Sequence, residues 1–181
     1  MATATSSNYS AVARGFHWLT VIFVLAAFIL SEGGPSSRIF GEANRDALTR
    51  HEFLGFSVFV ITALRLIWRA MDTQPVPTPM PGWMRLSSNL VHWVLFGLLL
   101  AVPLAGILGS WFEGYPLYLY FATIPSPFSV VAGTSSAFMQ IHPLLGDAII
   151  WIAGAHAAAA LYHHFFLKDD VLRSMLSGKS G

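Results

Sequence analysis

Seven histidines stand in a chain of 181 residues of which only 10% are charged and 55% are hydrophobic. Ionisable groups in so apolar a setting are costly unless they pair or bind something. Their spacing is therefore informative. His142 and His156 are fourteen residues apart, which on a helix is about 21 Å along the axis and about 40° short of four full turns. One helix face would carry both imidazoles at two depths. Imidazole is a common metal ligand, and two ligands so spaced suit two planar metallocofactors stacked through a bilayer. Each then needs a second axial ligand at matching depth. At the depth of His142 the only other histidine is His51, so that pair is nearly forced. For His156 the partner is either His17 or His92, and depth does not choose between them.

Membrane-spanning helices must position these residues. A bilayer core needs about 20 mostly apolar residues per helix. Charge-free runs cover Gly15 to Ser31, Leu86 to Phe112 and Ala148 to Leu167. A weaker run from Phe53 to Leu64 ends at Arg65 and Arg69, whose long side chains can snorkel. The pattern predicts an all-α integral membrane four-helix bundle, with helices over about 12–32, 48–70, 86–110 and 140–166, in a single domain over 1–181. Arg14 followed by Trp18 to Leu30 has the look of a signal peptide. Three further spans and a histidine in need of a partner favour a retained first span.

Lysine and arginine counts orient the bundle. Arg14, Arg65, Arg69, Arg85, Lys168, Arg173 and Lys179 fall on one side, and Arg38, Arg45 and Arg50 on the other. The positive-inside rule predicts both termini in the cytoplasm. The connection over 71–85 is then cytoplasmic, Pro-rich and stiff. The outer connection from Trp111 to Gln140 has one charge, Glu113, and Trp111, Tyr115, Tyr118 and Tyr120 suit an interfacial belt.

Composition excludes several classes. With no cysteine there is no disulfide scaffold, iron–sulfur cluster, thiolate zinc site or covalently attached haem. Net charge is +1 without a basic cluster, so no nucleic-acid partner is expected. His51-Glu52-Phe53-Leu54-Gly55 begins like a zinc-protease motif but lacks its second histidine. No lysine lies inside a span, which argues against a retinal protein.

Neighbouring residues fit a bulky cofactor. Gly55 and Gly146 lie one turn after His51 and His142. Gly154, Ala155 and Ala157 to Ala160 surround His156. Small residues also let helices pack closely in membranes. Arg65 lies fourteen residues after His51 and shares its face. It reads equally as a partner for a haem propionate or as a snorkelling arginine. Pro143 directly follows a proposed ligand. Proline is tolerated in a first helical turn, so helix four is expected to be regular only from about there.

The run Gly154-Ala155-His156-Ala157-Ala158-Ala159-Ala160-Leu161-Tyr162-His163-His164-Phe165 resembles the last helix of the bacterial cytochrome b561 family, and Gly15-Phe16-His17-Trp18 resembles its first. The order of spans and histidines matches across nearly the whole chain. The resemblance implies a dihaem b-type membrane cytochrome of the bacterial inner membrane, with two haem b groups. His17 and His156 would ligate the inner haem and His51 and His142 the outer one. It also implies a quinone site near the cytoplasmic haem, close to His92 and His163. Family members can carry a lysine in the Pro-rich connection near that site. Here there is none, and Met80 occupies the comparable stretch.

Bis-histidine ligation fills both axial positions and suits outer-sphere electron transfer over oxygen binding. The resemblance implies a small periplasmic donor, superoxide, and ubiquinone as acceptor, with His163 or His92 assisting protonation. Arg38, Arg45 and Arg50 could draw an anion, offset by Glu42, Asp46 and Glu52. A second reading is an electron-relay membrane subunit of a larger dehydrogenase or hydrogenase complex, with a redox partner protein. Short loops favour the stand-alone oxidoreductase. A third is a metal or proton transporter, in which Asp147 could serve a proton path.

Overall fold

The computed structural model describes residues 8–30, 45–73, 79–129 and 135–176. Four long helices dominate: α1 (Ala11–Ile29), α2 (Arg45–Met71), α3 (Gly82–Phe112) and α4 (Ser135–Tyr162). All four are long and apolar enough to cross a membrane. At 1.5 Å per residue even the 19 residues of α1 reach about 28 Å, close to a hydrocarbon core. Large apolar side chains such as Ile22, Ile67, Leu90 and Trp151 point outward, as lipid-facing residues must. The architecture is the predicted all-α membrane bundle. Arg38, Glu42, Lys179 and most of the proline run lie outside the described residues.

Each helix end is fixed by particular side chains. Ser10 caps α1 by accepting from the Ala13 amide at 3.2 Å. The Ser10 hydroxyl donates to Asp72 at 2.5 Å, and the Trp68 indole donates to the same carboxylate oxygen at 3.0 Å. The start of α1 is thereby tied to the end of α2. Pro81 precedes the first turn of α3, where a missing amide hydrogen costs nothing.

The packing is serial. α1 lies against α2, α2 against α3, and α3 against α4. Among the described residues α4 makes no comparably close backbone contact with α1 or α2. The buried core is small and central. Val58 of α2, Leu99 of α3 and Ile149 of α4 meet there, with Phe23 and Val24 of α1 packed against them. Without a hydrophobic driving force between helices in lipid, such interlocking carries much of the association.

Three features depart from the sequence expectation. Helix four does not begin near Pro143. It begins at Ser135, and Pro143 stands inside it. Proline removes one intrahelical donor and crowds the preceding turn, but packing on α3 holds the helix through that position. The connection after α3 is also not plain loop. It forms a hairpin of β1 (Leu117–Leu119) and β2 (Ala122–Ile124), paired antiparallel. Leu117 and Leu119 are buried, and β1 packs on α2. At its other end α4 widens into a π-helical turn over His163–Leu167, followed by a short helix α5 (Arg173–Leu176).

Candidate functional site

His51 and His142 come together at one end of the bundle, with ring centroids 5.8 Å apart and planes crossed at 88°. Each ring is oriented by a backbone carbonyl. His51 Nδ1 lies 3.2 Å from Ala27 O, and His142 Nδ1 lies 2.8 Å from Val102 O. A carbonyl oxygen can only accept, so both Nδ1 atoms carry the proton and both Nε2 atoms keep a lone pair. Ala27 supplies a free acceptor because it sits in the last turn of α1, where carbonyls lack helical partners.

Two cavities lie around this pair. One cavity is lined by Val24, Ala27, Phe28, His51, Gly55, Val58, Leu99, Val102, Pro103, His142, Gly146, Ile149 and Ile150. A second is lined by Leu48, Glu52, Phe56, Ile107, Ser110, Leu117 and Met139. Both include His51, Gly55, Pro103 and His142, so they meet at the ring pair. A Cβ on Gly55 would meet nothing within 4 Å. Gly106 is the opposite case. A Cβ there would sit 3.0 Å from His142 Cε1 and 3.1 Å from Nδ1. Glycine at this position lets the imidazole lie against α3.

A second cluster forms toward the other end. His156 lies 6.5 Å from His17 and 5.1 Å from His92, centroid to centroid. The ring planes cross at 72° and 71°. Both alternatives left by depth are therefore physically near. Arg65 joins them, its Nη2 3.3 Å from His17 Nδ1 and its guanidinium 5.1 Å from the Phe96 ring. Arginine only donates, so here His17 Nδ1 accepts. Around this cluster Gly154, Ala155 and Ala157 to Ala159 are exposed, and a Cβ on Gly15 or Gly154 would meet nothing within 4 Å.

Both clusters bring α4 to a helix on which it does not closely pack, α2 in the first and α1 in the second, and the second also includes His92 of α3. The imidazoles of α4 meet rings of α1 and α2, and the Val58, Leu99 and Ile149 core lies between the two levels. Arg65 falls at the level of the second cluster, as its spacing from His51 predicted. His163 stands apart from both. Its Nδ1 lies 2.5 Å from Asp169 Oδ2. His164 Nδ1 is buried without a partner among the described residues.

Sequence reasoning missed several residues that shape the site. Gly106 gave no motif. Glu52 was read as half of an incomplete zinc motif and as a charge offsetting the nearby arginines, yet its Oε2 accepts from the Tyr118 amide at 2.6 Å and pins the hairpin beside His51. Arg45 lies over the Tyr118 ring at 5.5 Å, and Arg50 is exposed on the same end of α2.

Comparison with known proteins adds an independent finding. The family model for prokaryotic cytochrome b561 matches residues 8–178. The chain is 28% identical to cytochrome b561 homolog 2 of Escherichia coli (strain K12) over 180 residues, covering 98% of this chain and 95% of that one. It is 28% identical over 179 residues to a probable superoxide oxidase, CybB, of Yersinia pestis, covering 96% and 98%. It is 29% identical over 170 residues to cytochrome b561 homolog 1 of Escherichia coli (strain K12), covering 88% and 92%.

Proposed function

The chain belongs to the prokaryotic cytochrome b561 family, and from that premise we propose that it passes single electrons from periplasmic superoxide to ubiquinone through two b haems. It is a haem-binding electron-transport protein that crosses the bacterial inner membrane several times. The reaction balances as two superoxide anions, one ubiquinone and two protons giving two molecules of oxygen and one quinol.

The observation that carries this reading is the tautomeric state of His51 and His142. With Nδ1–H donated to Ala27 and Val102, both lone pairs sit on Nε2, the arrangement that metal-ligating histidines favour. One metal held by two imidazoles through metal–nitrogen bonds of about 2 Å would separate the ring centroids by about 6 Å. The separations for His51 with His142 and for His17 with His156 are 5.8 and 6.5 Å. His92 and His156, at 5.1 Å, fall short of that span. We therefore assign His17 and His156 to the inner haem, and keep His92 as a neighbour available to a quinone.

When bound, the haems would supply reversible one-electron chemistry, held by His51 with His142 and by His17 with His156. The chain's own residues do the rest. Ala27 and Val102 hold the outer imidazoles in register. The Val58, Leu99 and Ile149 core keeps the path between the two levels dry. His17 must give up its bond from Arg65 and carry its proton on Nδ1 before Nε2 can act as a ligand. The guanidinium so released is free to pair with a propionate. Both termini are assigned to the cytoplasm by the positive-inside rule, which puts Arg45 and Arg50 where an anionic donor arrives and His163 and His92 where ubiquinone takes up protons.

The test is direct. Purified holoprotein given a steady superoxide flux and a short-chain ubiquinone should form one quinol per two superoxide consumed, and His51→Ala should abolish it. Quinol formation at the wild-type rate in His51→Ala would overturn the assignment.

A further inference from the structure

On a regular helix, residues six apart point about 120° away from one another. His163 and Asp169 are six apart, yet they form a 2.5 Å contact. Two local departures bring them together. The chain widens into a π-helical turn over His163–Leu167, and Lys168 follows in the left-handed region at φ 54, ψ 36. π-turns and non-glycine left-handed residues both concentrate at functional sites. The Lys168 and Asp169 amides turn back onto the His163 carbonyl, Asp169 at 3.3 Å.

Asp169 is itself held on both oxygens. Its Oδ1 accepts from the Val171 amide at 3.1 Å, leaving Oδ2 for the imidazole. The segment behind it is anchored to α1, because the Trp18 indole donates to Met175 O at 3.0 Å. Trp18 directly follows His17. The side chains of His163 and Asp169 are 15% and 21% exposed, shielded but within reach of a ligand.

We propose that Asp169 is a positioning residue for quinone reduction: it fixes the proton of His163 on Nδ1 and presents Nε2 to a ubiquinone carbonyl. The inference rests on the quinone reading above. A carboxylate accepting from Nδ1–H sets the tautomer of an imidazole and stabilises its protonated form. In the step, a carbonyl oxygen of ubiquinone receives one electron through the cytochrome and one proton from Nε2 of protonated His163. An O–H bond forms and the Nε2–H bond breaks. The imidazole is left neutral with Nδ1–H still on Asp169, and water on that side returns the proton. A second electron through the cytochrome and a proton from water at the other carbonyl oxygen complete the quinol.

The experiment separates the two half-reactions. In stopped flow on purified holoprotein, superoxide reduces the haems and ubiquinone-1 reoxidises them. Asp169→Asn should leave haem content and reduction by superoxide unchanged, and slow reoxidation about 10–100-fold, the usual effect of losing an orienting partner. The loss should fall on the maximal rate more than on the quinone concentration at half-saturation, and Asp169→Glu should recover most of it. A second readout does not depend on turnover. Nitrogen-15 histidine spectra of the reduced, diamagnetic protein, assigned with His163→Gln, should show His163 with its proton on Nδ1, and a shift toward Nε2–H in Asp169→Asn. A native neutral His163 with its single proton on Nε2 and none on Nδ1 overturns the proposal, and decides it alone should Asp169→Asn fail to fold. Wild-type reoxidation in Asp169→Asn beside slow reoxidation in His163→Gln also overturns it, and leaves the quinone reading intact. Failure of ubiquinone-1 to reoxidise the native protein overturns both.

Discussion

His142 donates its Nδ1–H to the carbonyl oxygen of Val102 at 2.8 Å, from α4 to α3. That one bond fixes the ring's tautomer, leaves its lone pair on Nε2, and couples the imidazole to the helix on which α4 packs. His51 is held in the same way by Ala27 of α1. The two rings thus draw their orientation from helices other than their own. The site at this end is a property of the assembled bundle and not of any single helix.

Gly106 is the most sensitive neighbour of that ring. A methyl group there would lie 3.0 Å from the imidazole, tighter than ordinary contact. Gly106→Ala should displace His142 and lower the haem content of that end, measured as haem per chain. Gly55→Ala should lower it by a different route, since Gly55 lines both cavities beside the two histidines and its Cβ would take up space the cofactor would fill. Equal haem content in native protein and Gly106→Ala would show that the ring does not depend on this contact.

Arg65 is the cation nearest the inner cluster, 3.3 Å from His17. A positive charge favours the reduced state of a nearby redox centre. Arg65→Met should therefore lower one of the two midpoint potentials by tens of millivolts, on the order of one charge lost at an effective dielectric of about 20. Redox titration followed in the visible spectrum reads this. Two unchanged potentials would remove Arg65 from the cofactor's surroundings.

Glu52 pins the hairpin through the Tyr118 amide at 2.6 Å. An intramolecular hydrogen bond contributes about 0.5–1.5 kcal/mol net. Glu52→Ala should leave four helices folded, lower thermal stability modestly and speed proteolysis within residues 117–124. Unchanged protection of the hairpin would show that Leu117 and Leu119 alone hold it.

Arg50 is exposed at the end of α2 beside His51. Neutralising it with Arg50→Gln should slow haem reduction by superoxide at low ionic strength, with the difference shrinking as salt screens it. Identical rates at low salt would take Arg50 out of donor capture.

The helices and the histidine depths were legible because period and length act locally. Fourteen residues between His142 and His156 set a face and a distance whatever surrounds them. The same arithmetic carried Arg65 to the level of the second cluster. What the sequence left dark depends on contacts between elements. Nothing in the spacing of Gly106 reveals that an imidazole from α4 will rest on it. Glu52 and Tyr118 lie 66 positions apart. The approach of Asp169 to His163 needs a widened turn and a left-handed lysine, which no propensity for Lys168 announces. Pro143 misled in the other direction. Its local rule ends helices, and tertiary packing overrides it.

The central claim is that two pairs of histidines each hold one haem. It is tested by a pyridine haemochrome count on purified native protein and on His142→Ala. Two b haems per chain in the native protein and one in the variant, with the remaining haem low-spin, is the predicted result. Two haems retained in His142→Ala, or a single haem in the native protein, would contradict it.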